Sequence, residues 1–224
     1  MSLCSSISSS YGSHPNLFVN FTAVLATECS LRVLLVLPPH IIVDKFEFPY
    51  EHTMWGHSDL ELPVHALKDR EPTYVMLDAV AEGQGREENH VELVVPLHLR
   101  YTEPRSGGGY ERVEMAWPMA FSVCPSAHNT PKPSFLDTLP PPFQSPFGGG
   151  THSIMTIPSC TEGGPNPIHE FFIPIGNSDH LPIVQFGTAA FVLFSFFWVG
   201  SAILRTLPRQ RNGAHSCIID SKSE

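Results

Sequence analysis

Two segments in the middle of the chain alternate between apolar and polar residues, the pattern of half-buried β-strands. In residues 91–101 every odd position is apolar or aromatic, while the even positions include His98 and Arg100. A side-chain period of two places the odd positions on one face of a strand. Residues 113–124 repeat the alternation, and residues 103–109 between the two runs are rich in glycine. The pattern predicts an antiparallel hairpin with a loose turn.

Other short apolar runs extend this prediction to a whole domain. Pro96 and Pro118 cannot donate to a strand ladder, which places their strands at sheet edges or bulges. Four further runs have strand length: residues 31–37, 73–80, 153–157 and 170–175. Six or seven short strands without an amphipathic helix predict a mainly β fold, a β-sandwich-like domain in residues 27–180.

The C-terminal part predicts a transmembrane helix. Residues 183–204 contain no charged residue and no histidine, and about 20 such residues at ~1.5 Å each cross a hydrocarbon core of ~30 Å. Arg205, Arg209 and Arg211 follow directly, whereas the preceding residues carry no nearby Lys or Arg. The positive-inside rule then predicts a cytosolic tail at 205–224 and a lumenal domain.

Small or polar residues lie inside this predicted span. Such residues let helices approach closely or form hydrogen bonds across an interface. They are compatible with a docking face for a polytopic partner and equally with ordinary span composition. The positions are Gln185, Gly187, Thr188, Ser195, Gly200 and Ser201.

The N-terminal residues 1–26 have a weak resemblance to a signal peptide. A short apolar run at 17–26 ends in Val-Leu-Ala, but no Lys or Arg precedes it and polar residues interrupt it. We interpret this segment either as a degenerate signal peptide or as a mispredicted start of the gene. Asn20 begins an Asn-Phe-Thr sequon for N-glycosylation, which cleavage after Ala26 would remove.

Residues 126–150 are rich in proline and end in three glycines. Their few apolar residues show no period. This composition predicts a disordered or polyproline-like insertion in the domain.

The net charge argues against one class of partner, and the cysteines suggest a disulfide. The formal net charge is −9, and no basic patch is present, which argues against nucleic acid as a partner. If Cys4 is removed with a signal peptide, Cys29, Cys124 and Cys160 form an odd lumenal set. Cys29 and Cys124, at the head of one predicted strand and the end of another, are our first candidates for a disulfide; three free buried thiols are the alternative.

The sequence offers little for catalysis. His52, His57 and His65 lie close together, but their spacing matches no metal motif, and we interpret them as surface histidines. No phosphate-binding glycine loop and no nucleophile elbow occurs. The carboxylates at 44–47 and 59–61 are better explained as solvated than as an acid–base pair. We therefore predict no catalytic residue, cofactor or metal.

Several segments resemble one family. The run VPLHLRY at 95–101, with Pro104 and a strand that ends in Trp117-Pro118 and closes on Cys124, resembles the PIG-X family. Segments in the same order as in that family are residues 29–38 continuing into 42–47, DLELP at 59–63 and FIPIG at 172–176. The resemblance covers residue 29 to about residue 204, with a gap at 125–150.

The resemblance implies a function. PIG-X proteins are the stabilising subunit of glycosylphosphatidylinositol (GPI) mannosyltransferase I in the endoplasmic reticulum membrane. It implies a polytopic catalytic partner that transfers the first mannose to the GPI precursor, and membrane lipid around the span. A single span cannot itself form a cavity for two lipid substrates, which agrees with a non-catalytic role.

Contact residues for this partner are predicted on the alternating strand. His98, Arg100 and Tyr101 are the candidates, because Arg and Tyr are favoured at interface hot spots; the alternation also allows Tyr101 a place in the core. A general lumenal chaperone is the alternative function, because a β domain with free edges can add strands to clients. A type I surface receptor is disfavoured by the short tail.

Overall fold

A computed structural model describes residues 2–23, 28–59, 62–67, 70–79, 89–126, 133–144, 147, 152–160 and 167–220. Contacts divide the chain into one unit at residues 1–176 and a second at residues 177–224. Within the described residues, the first unit contains twelve strands and a few short helices, and the second contains one long helix preceded by a 3₁₀ turn. The prediction of a mainly β domain followed by a C-terminal apolar helix is confirmed.

The largest sheet has five strands, which are β3 (Ser30–Leu37), β5 (His52–Trp55), β6 (Thr73–Ala79), β10 (Met119–Pro125) and β11 (His152–Ile157). Their order in the sheet is β11-β10-β3-β6-β5. The central strand β3 consists of a nearly continuous apolar run, because residues on both of its faces are buried. Neighbouring strands are antiparallel.

A second layer packs against this sheet through a shared hydrophobic core. Its strands are β1 (Ser2–Ile7), β2 (Asn16–Ala23), β4 (Ile41–Ile42), β7 (Asn89–Pro96), β8 (His98–Leu99), β9 (Gly109–Ala116) and β12 (Ile168–Ile175). They form a three-stranded sheet in the order β1-β2-β7 and the antiparallel pairs β12-β9 and β4-β8. Two facing layers around one core form the predicted sandwich-like arrangement.

The predicted hairpin between residues 91–101 and 113–124 is wrong. β7 pairs with β2, and the second run divides at Pro118 into β9, which pairs with β12, and β10, which pairs with β3 and β11. The alternation correctly placed Leu93 and Val95 in the core, but alternation determines which face is buried and not which strand is the neighbour. The edge position expected from Pro96 agrees with the place of β7 at one end of its sheet.

The N-terminal segment belongs to the fold. We expected residues 1–26 to be separate from the domain, but β1 and β2 lie there, and β2 is the middle strand of its sheet. Leu17, Val19 and Phe21 are buried in the main core. This corrects the signal-peptide interpretation, because removal of these residues would take away the partner strand of β7. The short apolar run that resembled a signal peptide begins within β2, where its alternate side chains point into the core.

The proline-rich insertion is ordered where the structure describes it. A 3₁₀ helix (Ser134–Thr138) and α1 (Pro141–Gln144) cover the outer face of the five-stranded sheet. Their apolar side chains fill a second core together with Leu34, Met76, Phe121 and Val123. The expectation of disorder is therefore wrong for residues 133–144 and 147, while residues 127–132, 145–146 and 148–150 lie outside the described residues. The buried side chains of the segment are Leu136, Leu139, Phe143 and Phe147.

The second unit contains a 3₁₀ helix (Ser178–His180) and α2 (Leu181–Asp220). Residues 178–206 form a helical stretch that is long and apolar enough to cross a membrane. A helix of 29 residues is about 43 Å long at ~1.5 Å per residue, longer than a hydrocarbon core of ~30 Å. The helical backbone continues beyond Leu204, the end predicted from the sequence, to Asp220.

Candidate contact surface and its pocket

The candidate site lies where two short strands meet a tight turn. β8 pairs with β4, so that Leu99 faces Ile41 and His98 faces Ile42. After β4 the chain turns at Asp44, whose Oδ1 accepts a hydrogen bond from the backbone N–H of Phe46 at 2.9 Å. This Asx-type turn brings Glu47 to His98.

His98 is held by partners on two sides. Its Nε2 lies 2.9 Å from Oε2 of Glu47, and its ring meets the ring of His14 edge-on, with the centroids 4.9 Å apart. The His14 Nδ1 is in turn 2.8 Å from Oγ of Ser13. The His98 side chain is mostly covered, whereas the Glu47 side chain is half-exposed. A partner would therefore reach the carboxylate of Glu47 more readily than the imidazole.

Arg100 is not a surface contact, which corrects the prediction. Only 3% of the residue is exposed, and its guanidinium donates to three backbone carbonyls, those of His57, Asp59 and Leu62. Burial lowers the pKa of this guanidinium and the Asp59 carboxylate raises it, yet an arginine stays protonated at physiological pH. Arg100 thus holds the loop at residues 57–62 against β8, a structural role.

Tyr101 is on the surface. Its exposed fraction is 67%, and its carbonyl accepts a hydrogen bond from the N–H of Val64 at 3.3 Å. The sequence allowed Tyr101 either on the surface or in the core, and in the structure its side chain lies on the surface. Strand β8 ends at Leu99, so the alternation stops there: Arg100 turns inward and Tyr101 outward.

Phe46 is the most exposed large apolar residue of this surface, and it was not among the contact residues predicted from the sequence. It is 85% exposed at the tip of the Asp44 turn, with the Lys45 ammonium 4.9 Å from its ring centroid. An aromatic residue inside a turn opened by aspartate was the available signal. We call Phe46, Glu47, His98 and Tyr101 together the contact surface.

A cavity of roughly 360 Å³ opens in this surface. Its lining contains the hydroxyls of Ser13 and Tyr101, two imidazoles and two carboxylates, the residue types of a hydrolytic site. The hydroxyl of Ser13 bonds to His14, however, and the carboxylate of Glu47 bonds to His98. Among the described residues neither imidazole therefore links a hydroxyl to a carboxylate, as the histidine of a catalytic triad does. The lining residues are Ser13, His14, Ile42, Asp44, Glu47, Leu62, Pro63, His98, Leu99, Arg100 and Tyr101.

No metal site is found among the residues that the structure describes, since none of their His, Cys, Asp and Glu side chains form a group of three or more suited to an ion. The Nδ1–H of His52 donates to the backbone carbonyl of Tyr50, 2.8 Å away. The three histidines at 52, 57 and 65 are not brought together as ligands.

The cysteines form two disulfides. Cys29 and Cys124, the pair proposed from the sequence, are bonded, with their Cα atoms 4.2 Å apart. Cys4 bonds to Cys160 across a sequence separation of 156, a pair that we missed because Cys4 was assigned to a removable segment. The Cys4–Cys160 bond ties the first strand β1 to the residues after β11, and the Cys29–Cys124 bond joins the start of β3 to its neighbour β10. Such pairing is typical of an oxidising compartment.

Asn20, the sequon residue, lies in the middle strand β2 with its neighbours Cys4 and Glu92 on either side. It is half-buried on the face opposite Leu17, Val19 and Phe21. Its Oδ1 is covered and has no hydrogen-bond partner. Glycosylation at Asn20 stays a prediction.

Comparison with known proteins gives a consistent result. The sequence model of the family described as PIG-X / PBN1 matches residues 10–204. The chain is 29% identical to Protein PBN1 of Eremothecium gossypii over 86% of this chain and 42% of that protein. It is 23% identical to Protein pbn1 of Schizosaccharomyces pombe over 84% of this chain and 55% of that protein.

The chain thus spans about half the length of the relatives it matches; for Protein pbn1 of Emericella nidulans the values are 25% identity, 84% of this chain and 41% of that protein. No solved structure matches the chain.

Proposed function

Because this chain belongs to the PIG-X/PBN1 family, we propose that it is a non-catalytic accessory subunit that stabilises the catalytic subunit of GPI mannosyltransferase I. It acts in GPI-anchor biosynthesis, at the transfer of the first mannose to the GPI precursor. The observation that carries the proposal is the family match over residues 10–204, which covers the β domain after β1 and nearly all of the apolar helical stretch.

The proposed placement is a single-pass protein of the endoplasmic reticulum membrane with its β domain in the lumen. The stretch at 178–206 supports membrane anchoring by its length and composition. Arg205, Arg209 and Arg211 after the span support a cytosolic tail. The two disulfides agree with an oxidising lumen.

The stabilising effect follows from mass action. A chain that binds only the folded catalytic subunit stabilises it by RT ln(1 + [L]/Kd), about 2.7 kcal/mol at a free concentration of 100 Kd. The contact surface supplies exposed aromatic rings from Phe46 and Tyr101 beside the Glu47 carboxylate. Aromatic residues beside a polar group are frequent anchors of protein interfaces.

The test of this function is deletion of the chain in cells. We expect the abundance of the catalytic subunit and of GPI-anchored surface proteins to fall, because the unassembled enzyme loses its binding partner. Immunoblotting and a count of the first mannosylated GPI intermediate measure both effects, and re-expression of the intact chain is the control. A catalytic subunit that stays abundant and fully active without this chain would refute the proposal.

Tyr101→Ala tests the contact surface separately from folding. Its side chain is two-thirds exposed, so the substitution should change the free energy of unfolding by no more than about 0.5 kcal/mol. An interface anchor, by contrast, costs more than about 1 kcal/mol of binding when truncated. We therefore expect at least a severalfold loss of co-purified catalytic subunit from a normally folded chain.

Trp55→Ala is the control for this experiment, because Trp55 is also an exposed aromatic residue, 47% exposed, and lies outside the contact surface. Equal recovery of the catalytic subunit with both variants would remove Tyr101 from the interface. Recovery of many unrelated secretory proteins instead of one polytopic partner would point to a general chaperone.

A further inference from the structure

On the outward face of the β12-β9 pair, charged side chains lie in the middle and aromatic side chains lie at one end. In its middle, Arg112 forms ion pairs with Glu114 at 2.8 Å and with Glu170 at 2.7 Å. Towards the end of β12, the cross-strand neighbours are Phe172 opposite Arg112 and Pro174 opposite Tyr110. This end of the face is aromatic.

Tyr11 completes this aromatic cluster from the loop between β1 and β2. Its ring stacks on Phe172 at a centroid distance of 4.9 Å and meets Tyr110 edge-on at 5.6 Å. Tyr11 is 58% exposed and Tyr110 is 61% exposed. We call Tyr11, Tyr110 and Phe172 the aromatic cluster.

The backbone holds the aromatic cluster in place. The N–H of Phe172 donates to the carbonyl of Ser10 at 2.7 Å. The Ser9 hydroxyl donates to the carbonyl of Tyr11 at 2.8 Å, and the N–H of Tyr11 donates back to the same hydroxyl oxygen at 3.1 Å. A fixed group of large exposed rings is unusual on a protein surface that meets only water. Tyrosine carries an apolar ring and a polar hydroxyl, and it is enriched where membrane meets water.

Chain connectivity limits how far this cluster can be from a membrane. β12 ends at Ile175 and α2 begins at Leu181. Six residue steps of at most ~3.6 Å span about 20 Å even when fully extended. If α2 is anchored in a bilayer, the end of β12 therefore stays near the bilayer surface in any orientation of the domain.

We propose that the aromatic cluster inserts into the lipid–water interface of the bilayer that the helix crosses. This inference rests on the membrane anchoring in the proposed function. The rings of Tyr11, Tyr110 and Phe172 enter the headgroup region, and the two tyrosine hydroxyls stay hydrated. Zwitterionic lipid suffices, because the chain has a formal net charge of −9 and gains nothing from an anionic surface.

The experiment uses the full chain, labelled with 3-fluorotyrosine and reconstituted alone in phosphatidylcholine vesicles. The five tyrosines give five fluorine signals, which single Tyr→Phe variants assign. With a nitroxide on the lipid headgroup, we expect the signals of Tyr11 and Tyr110 to lose intensity while that of Tyr101 is retained. With a water-soluble gadolinium chelate we expect the reverse order, since Tyr101 is the matched exposed tyrosine.

Two results would overturn this inference. If Tyr11 and Tyr110 behave like Tyr101, with their signals retained beside the headgroup nitroxide and lost to the gadolinium chelate, the aromatic cluster lies in water. A chain that does not float with the vesicles contradicts anchoring itself. The catalytic subunit is absent from the vesicles, so failure of its proposed stabilisation in cells leaves the outcome unaffected.

Discussion

Replacement of Arg100 by alanine should lower the free energy of unfolding of the domain by about 2–4 kcal/mol, since each buried carbonyl left without a donor costs about 1–3 kcal/mol and water recovers part of that loss. The guanidinium donates to the carbonyls of His57, Asp59 and Leu62 from a residue that is almost fully buried. Urea unfolding of the full chain in detergent, followed by circular dichroism, measures the change.

Two further variants make this result specific. Arg100→Lys keeps the charge but cannot reproduce the planar fork of donors, so we expect an intermediate loss. Arg105→Ala removes an exposed arginine whose ion pair with Glu111 is 3.8 Å long, and should change stability by less than about 0.5 kcal/mol. Equal midpoints for Arg100→Ala and Arg105→Ala would contradict the assigned role of Arg100.

Phe143→Ala should destabilise the domain by about 3–5 kcal/mol, the usual cost of deleting a buried phenylalanine ring. Phe143 is 1% exposed in α1, where its ring faces Tyr74 at a centroid distance of 6.4 Å. The Gln144 side chain fixes the segment by donating to the carbonyl of Leu139 at 2.6 Å. The same urea titration measures the loss.

The control for this prediction is Phe46→Ala, which removes the same ring from an exposed turn and should shift the unfolding free energy by no more than about 0.5 kcal/mol. If Phe143→Ala unfolds at the wild-type midpoint, the segment does not cover the sheet in solution. In that case residues 133–147 would behave as the unstructured insertion that their composition predicted.

The Arg100 prediction also changes how partner binding is tested. The sequence proposed Arg100 as a surface contact, which implies weaker binding by a folded variant. With Arg100 buried, any loss of binding in Arg100→Ala follows from loss of folded domain. Tyr101→Ala is the variant that separates the two effects, because its side chain is free of the core.

The sequence by itself determined the class of fold and the position of the helix. Period-two alternation is a local property, and it correctly placed Leu93, Val95 and Val113 in the core. The uncharged run at 183–204 likewise predicts its helix without reference to the rest of the chain, because only its own length and hydropathy matter. The disulfide between Cys29 and Cys124 was also proposed from the sequence, because both residues lie at the ends of predicted strands.

Only the tertiary structure decided which strands are neighbours. The pairing of β7 with β2 was not predicted from the sequence, because the residues of β2 had been assigned to a separate N-terminal segment. Pairing depends on the whole set of available edges, and one misassigned strand changes the partners of others. The same error concealed the bond between Cys4 and Cys160.

The packing of residues 133–144 on the outer face of the five-stranded sheet was also not predicted from the local sequence pattern. Leu136, Leu139 and Phe143 are spaced i, i+3 and i+7, as on one face of a helix, but Pro140, Pro141 and Pro142 interrupt that pattern. They are buried against Phe121 because β10 has apolar residues on both faces. Arg100 is buried instead of lying on the predicted contact surface for a related reason. Alternation holds only while the strand lasts, and after Leu99 the direction of each side chain is set by the neighbouring loop, whose carbonyls need the guanidinium as a donor.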